Sequence, residues 1–264
     1  VPLAIINFVA NTDILFQNYN QAGQPDTDTL ALLGSLAQQP GVAIDQDVIY
    51  DAAAAGNAAN PKIIVNNPGA VPFYHVQNFT NFTSFTLDMG LGTDSLTIAG
   101  TAGSDTYNVT GTGDNSADIG VALLAVPPVT VHAKGIEGVT LGAGAGGDVL
   151  NLFGTGNNDV YSFLDDRARV NNGPTVLYSG TMTINAWANG GDDSLNYLAN
   201  GAAYTLDTSA GDKLVAGTVT TNMFGVERFS IAGLTVADSL IVIGTSGDDH
   251  FDAAETGGGE GSLD

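Results

Sequence analysis

An aspartate framed by glycines returns six times along this chain, and that recurrence leaves few folds open. Met-Gly-Leu-Gly-Thr-Asp ends at Asp94, Gly-Thr-Ala-Gly-Ser-Asp at Asp105 and Ala-Gly-Ala-Gly-Gly-Asp at Asp148. Gly-Thr-Gly-Asn-Asn-Asp ends at Asp159, Ala-Asn-Gly-Gly-Asp-Asp at Asp193 and Gly-Thr-Ser-Gly-Asp-Asp at Asp249. Short alternating runs come after such aspartates: Ser95-Leu96-Thr97-Ile98, Val149-Leu150-Asn151-Leu152 and, after Asp238, Ser239-Leu240-Ile241-Val242. Alternation of apolar and polar residues is the pattern of a half-buried strand. Glycine supplies the backbone freedom of a tight turn and aspartate a short-armed oxygen. A chain written as turn, strand, turn, strand is predicted to be all-β.

The repeat is larger than one turn. Superposing Gly135-Ile136-Glu137 on Gly225-Val226-Glu227 aligns the residues after them at a constant offset of 90: Asp148 falls on Asp238, Leu150 on Leu240 and Asp159 on Asp249. Asp94 and Asp193 occupy the same position in two further copies, so successive copies lie 54, 45 and 45 residues apart. A copy reads strand, turn, strand, turn, strand, and in three of the four its two aspartates lie 11 residues apart (94/105, 148/159, 238/249). The third copy has no second aspartate, and the fourth lacks the first turn's glycines. Such degeneracy is ordinary where each unit needs only to stack on its neighbours. The expectation is a parallel β-solenoid or β-roll of four degenerate 45–54-residue repeats, with a β-sandwich as the competing fold.

Residues 1–80 lack the repeat. Ala4–Val9 and Asp13–Phe16 read as strands, while Asp26 to Gln39, with Leu30, Leu33 and Leu36 on one side, reads as a helix. A mixed N-terminal cap or assembly segment is therefore expected over 1–80, repeats over 81–254 and a flexible Gly-rich tail over 255–264. That tail reads as a linker cut short, as in a piece of a longer protein, and no signal peptide is visible at Val1.

Charge narrows the partners. The chain carries 28 acidic against 6 basic residues, net -22, and 24 of the acids are Asp. Glutamate would serve solubility on helices, whereas this bias toward aspartate speaks for turns and cation ligands. The negative field repels nucleic acid and anionic lipid, and no run reaches membrane-spanning length. Neither nucleic acid nor membrane insertion is expected. With no cysteine, stability rests on burial, strand pairing and any bound ions.

Taken together, the turns over 85–252 resemble the hemolysin-type (RTX) calcium-binding repeat, Gly-Gly-x-Gly-x-Asp-x-apolar-x, found in large secreted bacterial surface proteins. Gly90, Gly92, Asp94 and Leu96 fit it, as do Gly144, Gly146, Asp148 and Leu150. Gly100, Gly103, Asp105 and Tyr107 fit with Thr101 in place of glycine, and Gly244, Gly247, Asp249 and Phe251 with Thr245. The resemblance implies Ca2+ at Asp94, Asp105, Asp148, Asp159, Asp193, Asp238 and Asp249. The 11-residue interval departs from the family's nine, so each turn has to meet one from a neighbouring coil. The competing reading makes each aspartate a cap for its own backbone amides.

Catalytic signatures are missing from the sequence. Asp192-Asp193 and Asp248-Asp249 are more simply exposed turns than acid–base pairs, and His75, His132 and His250 share no metal spacing. A polysaccharide lyase of the β-helix kind would need bases to neutralise uronates, and the chain offers Lys62, Lys134, Lys213, Arg167, Arg169 and Arg228, with Arg167 and Arg169 expected to pair locally with Asp165-Asp166. A carbohydrate-binding face would show an aromatic row, yet Trp187, Tyr161, Tyr178 and Tyr197 are irregularly spaced. Asn78, Asn81 and Asn108 head glycosylation sequons. The expected function is an extracellular structural or adhesive surface module, not an enzyme, ordered by calcium. The alternatives are a self-assembling fibre or surface-layer subunit with metal-free turns, and a binder of cell-surface polysaccharide.

Overall fold

The computed structural model describes residues 47–51, 84–90, 92–124, 126–142, 144–179, 182–200, 203–234, 239–244 and 246, together with five further strands within 1–80. The strands of that first stretch are β1 (Ala4–Ile6), β2 (Thr12–Gln17), β3 (Thr29–Leu33), β4 (Asp47–Asp51), β5 (Lys62–Asn66) and β6 (Tyr74–Thr80). Next come β7 (Ser84–Asp88), β8 (Ser95–Ala99), β9 (Thr106–Gly113), β10 (Ser116–Ala122) and β11 (Val129–Lys134). β12 (Gly138–Gly142), β13 (Asp148–Phe153), β14 (Val160–Leu164), β15 (Arg167–Val170) and β16 (Thr175–Tyr178) form the following five. The last are β17 (Met182–Trp187), β18 (Ser194–Leu198), β19 (Ala203–Asp207), β20 (Lys213–Ala216), β21 (Val219–Phe224), β22 (Arg228–Ala232) and β23 (Ser239–Ile243). The described residues contain no helix, and the chain is all-β.

Two sheets share the strands. The first has twelve, in the order β1-β3-β7-β11-β10-β9-β13-β17-β21-β20-β19-β23, and the second eleven, β2-β6-β5-β4-β8-β12-β16-β15-β14-β18-β22. Single strands cross from sheet to sheet and pair in parallel, as β8 with β12 and β13 with β17. Between them, three-strand antiparallel meanders fall alternately in the two sheets: β4–β6 in the second, β9–β11 in the first, β14–β16 in the second and β19–β21 in the first. Each of the four is laid backwards. β9 lands ahead and β10 and β11 fill in behind it, so β11 pairs with β7 while β9 is left to receive β13.

The sheets are therefore mixed, where wholly parallel ones were expected. Alternate placement of the meanders also accounts for the 90-residue offset: Asp94 leads into the second sheet, Asp148 into the first and Asp193 into the second again. Only every other copy returns to the same sheet. The longer first interval reflects longer meander strands, eight, seven and six residues in β9–β11 against five, four and four in β14–β16.

The helix expected over 26–39 is corrected in its centre, where Thr29–Leu33 is strand β3, parallel to both β1 and β7. Leu30 and Leu32 register with Phe85 and Leu87, so pairing on both edges overrides a helical leucine spacing. The rest of that stretch lies outside the described residues. Strands from 1–80 belong to the same two sheets as the repeats.

The core lies between the sheets. Strands bury alternate residues, Leu96 and Ile98 on β8, Leu150 and Leu152 on β13, Tyr161 and Phe163 on β14, each side chain contributing about 1.5–3 kcal/mol. Tyr50 of the second sheet meets Phe85 of the first with ring centroids 5.5 Å apart. All belong to one continuous apolar cluster.

Candidate functional site

Five of the seven aspartates singled out by sequence are described, and all five are buried, none more than 2% exposed. Asp238 and Asp249, like His250, lie outside the described residues. A carboxylate at so little exposure must be met by donors or cations. Here it is met chiefly by backbone amides.

Asp105 shows the arrangement most fully. Its Oδ2 accepts from Thr101 N–H at 2.6 Å, and its Oδ1 from the Thr101 hydroxyl at 2.8 Å and from Leu124 N–H at 3.0 Å. The Thr101 hydroxyl oxygen in turn accepts from Gly103 N–H at 3.1 Å. The turn before Asp159 repeats this. Thr155 N–H donates at 2.7 Å, its hydroxyl at 3.2 Å and Asn171 Nδ2 at 2.5 Å, while Asn157 N–H reaches the Thr155 hydroxyl at 3.1 Å. Thr101 departs from the RTX pattern, and with Thr155 it is the residue that clasps the aspartate.

Glycine at the head of these turns leaves room for the clasp. A Cβ on Gly100 would sit 2.9 Å from Asp105 Oδ2 and 2.7 Å from the Tyr107 hydroxyl, and one on Gly154 2.6 Å from both Asp159 Oδ2 and the Tyr161 hydroxyl. Both tyrosines reach across the core to the end of a strand in the opposite sheet: Tyr107 donates to Gly142 O of β12 at 3.2 Å, and Tyr161 to Trp187 O of β17 at 2.8 Å. Burial, then the neighbouring aspartates, push both phenols far above their ordinary range.

A second set of bonds ties each turn to its neighbour in the sheet. Asp105 N–H donates to Asp148 Oδ1 at 2.8 Å, and Asp159 N–H to Asp193 Oδ1 at 2.6 Å. Where no aspartate faces the amide, a glutamate does: Asp94 N–H donates to Glu137 Oε2 and Asp193 N–H to Glu227 Oε2, each at 2.7 Å. The returning amides of Glu137 and Glu227 donate to the carbonyls of Asp94 and Asp193 at 3.0 and 3.2 Å. Glu137 and Glu227 escaped the sequence reading as functional residues. The signal was there, since both stand at equivalent positions in copies 90 residues apart in a chain with only four glutamates.

The turns are in backbone contact. Gly146 and Gly191, each two residues before the aspartate, hold φ of 129° and 125°. A Cβ there would lie 2.6 Å from Gly103 C and O, and 2.5 Å from Asn157 C and O. Turns at 100–105 and 144–148 thus stack in the first sheet, and those at 154–159 and 188–193 in the second. Aspartates 11 residues apart in one copy go to opposite sheets and do not meet.

Asp193 is less fully met than Asp105 and Asp159. Its Oδ2 is buried with no hydrogen-bond partner, and burial, then the charges of Asp159, Glu227 and Asp192, raise its pKa despite the amide bond from Asp159. Asp192 beside it is exposed and pairs with Arg228 at 3.0 Å, so these two carboxylates do not act as one unit. Arg167 pairs with Asp166 at 2.7 Å, whereas Arg169 donates to Gly173 O at 2.9 Å; both sit on strand β15 and not on a loop.

Calcium takes six to eight oxygen ligands. Both oxygens of Asp105 and of Asp159 are aimed at N–H and O–H donors, and Asp148 and Asp193 each give one to an amide. Among the described residues no group of three or more carboxylates or histidines is placed to share an ion. As they stand, the carboxylates of Asp105 and Asp159 fit amide capping and do not fit a calcium shell.

No protein-family model, curated protein or solved structure matches the chain.

Proposed function

We propose that this chain is a structural module of an extracellular surface protein, a two-sheet β-solenoid whose aspartate turns act as hydrogen-bonded clasps between neighbouring coils. The observation that carries the reading is the pairing of the carboxylates of Asp105, Asp148, Asp159 and Asp193 with donors of their own or the neighbouring turn. The recurring chemistry of the repeat then serves to hold coils together. The clasps neutralise carboxylate charge locally through amide dipoles, so an acidic chain can stack turn on turn. The buried Asp193 Oδ2 without a hydrogen-bond partner is an observation on the side of a calcium-assisted variant, although no three carboxylates among the described residues are placed to share an ion.

Thermal melting and circular dichroism of EDTA-treated protein, with and without millimolar calcium, test this. A β-rich spectrum and cooperative melt in EDTA, moved only a few degrees by calcium, is the expected result. A chain unfolded in EDTA that orders on adding calcium would replace the clasp reading with ion-locked coils.

A further inference from the structure

The outer face of the first sheet carries an ordered surface that the clasps do not use. Across β9, β13, β17 and β21 the strands run parallel and in register, so equivalent outward residues line up in rows. One row is Asn108, Asn151, Asn185 and Asn222, in which Nδ2 of each later asparagine donates to Oδ1 of the one before at 2.7–2.8 Å. The next row is aromatic. Phe153 and Trp187 stack at 6.4 Å with 15° between planes, and Trp187 and Phe224 at 3.9 Å with 11°. On the other side of the amides run Thr106, Val149, Thr183 and Thr220. The aromatic row expected of a carbohydrate-binding face is thus formed by Trp187 and two phenylalanines, while Tyr161, Tyr178 and Tyr197 are buried.

We propose that this face binds an uncharged polysaccharide. Charge selects the occupant. On the four parallel strands none of the outward positions in these three rows is charged, in a chain of net -22, and charge begins only at the adjoining strands, with Asp118 on β10 and Lys213 on β20. A nucleic acid, an acidic glycan or a second copy of this chain would bring further negative charge and find only Lys213, beside Asn222 at the edge of the amide row and 4.0 Å from Asp207, to receive it. A neutral glycan brings none. Its hydroxyls both donate and accept, and the amide row offers both functions: the ladder consumes one N–H and one lone pair of an inner asparagine, leaving one of each on every rung. Rungs recur at the strand spacing of about 4.8 Å, comparable to the rise of one sugar in an extended β-linked chain. The C–H faces of the sugar rings pack against the aromatic row, which is open at Phe224, 41% exposed.

The inference rests on the extracellular reading only for where a glycan would be met. The melting experiment above can fail without touching it.

Trp187 is the single tryptophan of the chain, so intrinsic fluorescence reports directly on this surface. Titration of the whole chain with hexasaccharides of β-1,4-glucose and of β-1,3-glucose should shift Trp187 emission saturably for at least one of them. Native gels cast with the matching neutral glucan should retard the protein, while gels with polygalacturonate should not. Phe224→Ala should weaken binding roughly tenfold, with the melting temperature confirming that the fold persists. Asn185→Asp, which puts a charge into the ladder, should weaken it too. Unchanged emission up to ~10 mM of both sugars together with no retardation would overturn the proposal. So would binding that Phe224→Ala leaves intact, or an emission change that tracks protein concentration in sedimentation, which would assign the face to a second copy.

Discussion

Replacing Asp105 with alanine isolates the clasp. The substitution strips the acceptor from Thr101 N–H, the Thr101 hydroxyl and Leu124 N–H. Hydrogen bonds to a charged acceptor contribute roughly 1.5–3 kcal/mol each. The threonine hydroxyl can turn to water, whereas the two backbone amides stay fixed by the turn, so the loss should be about 3–5 kcal/mol. Asp105→Asn keeps one acceptor oxygen but turns an NH2 toward a donor, and should cost about 1–3 kcal/mol. Asp192→Ala, at an exposed position, is the control and should stay within ~0.5 kcal/mol. Urea unfolding in EDTA measures all three, with a constant slope showing that only stability has changed. If Asp105→Ala in EDTA lies within about 1 kcal/mol of the parent, the amides do not depend on the carboxylate and the clasp reasoning fails.

Three further outcomes are expected. Because Asp193 is harder to ionise folded than unfolded, the stability tied to its protonated form is present below the ordinary carboxylate range and is lost as pH rises through its raised pKa; Asp193→Asn should therefore raise the melting temperature at pH 7 and flatten its decline between acid and neutral pH. Gly146→Ala forces a side chain onto a φ of 129° and into Gly103; denaturant melts should show a loss of about 2–4 kcal/mol, while Gly156→Ala, which meets nothing within 4 Å, should be nearly silent. Burial holds the phenols of Tyr50, Tyr107, Tyr161, Tyr178 and Tyr197 far above their ordinary range, so an alkaline absorbance titration should show these groups ionising only as the protein unfolds.

The turns and the strands leading out of them were legible because glycine, aspartate and alternation are local signals. The alternating runs Ser95–Ile98 and Val149–Leu152 fall within β8 and β13, which differ from them only at their ends. The second and third strands of the meanders were not read, since no Gly-Asp turn introduces them. Their signals were subtler: Asn115, Asn171 and Gly217, at φ of 48°, 52° and 56°, mark the tight hairpin bends that asparagine and glycine favour. The two competing roles for the aspartates could not be told apart in sequence, because a carboxylate placed for amides and one placed for an ion carry the same letter. The aromatic row was hidden for a related reason. Phe153, Trp187 and Phe224 stand 34 and 37 residues apart, a spacing without meaning until the meanders fix which strands are neighbours.

Back-filling of the meanders decides how the molecule would come apart under tension. A simple coil can be unwound from its end one strand at a time. Here a pull on the C-terminal side frees β23 from β19 and β22 from β18, and then arrives at β21, which is held on one side by β17 and on the other by β20. The same happens from the other end, where β4 lies between β5 and β8 once β2 has gone. A strand gripped on both edges has to be sheared out with its hairpin partners. Extension would therefore proceed in a few large steps, each releasing a whole meander, a property suited to a part that bears load.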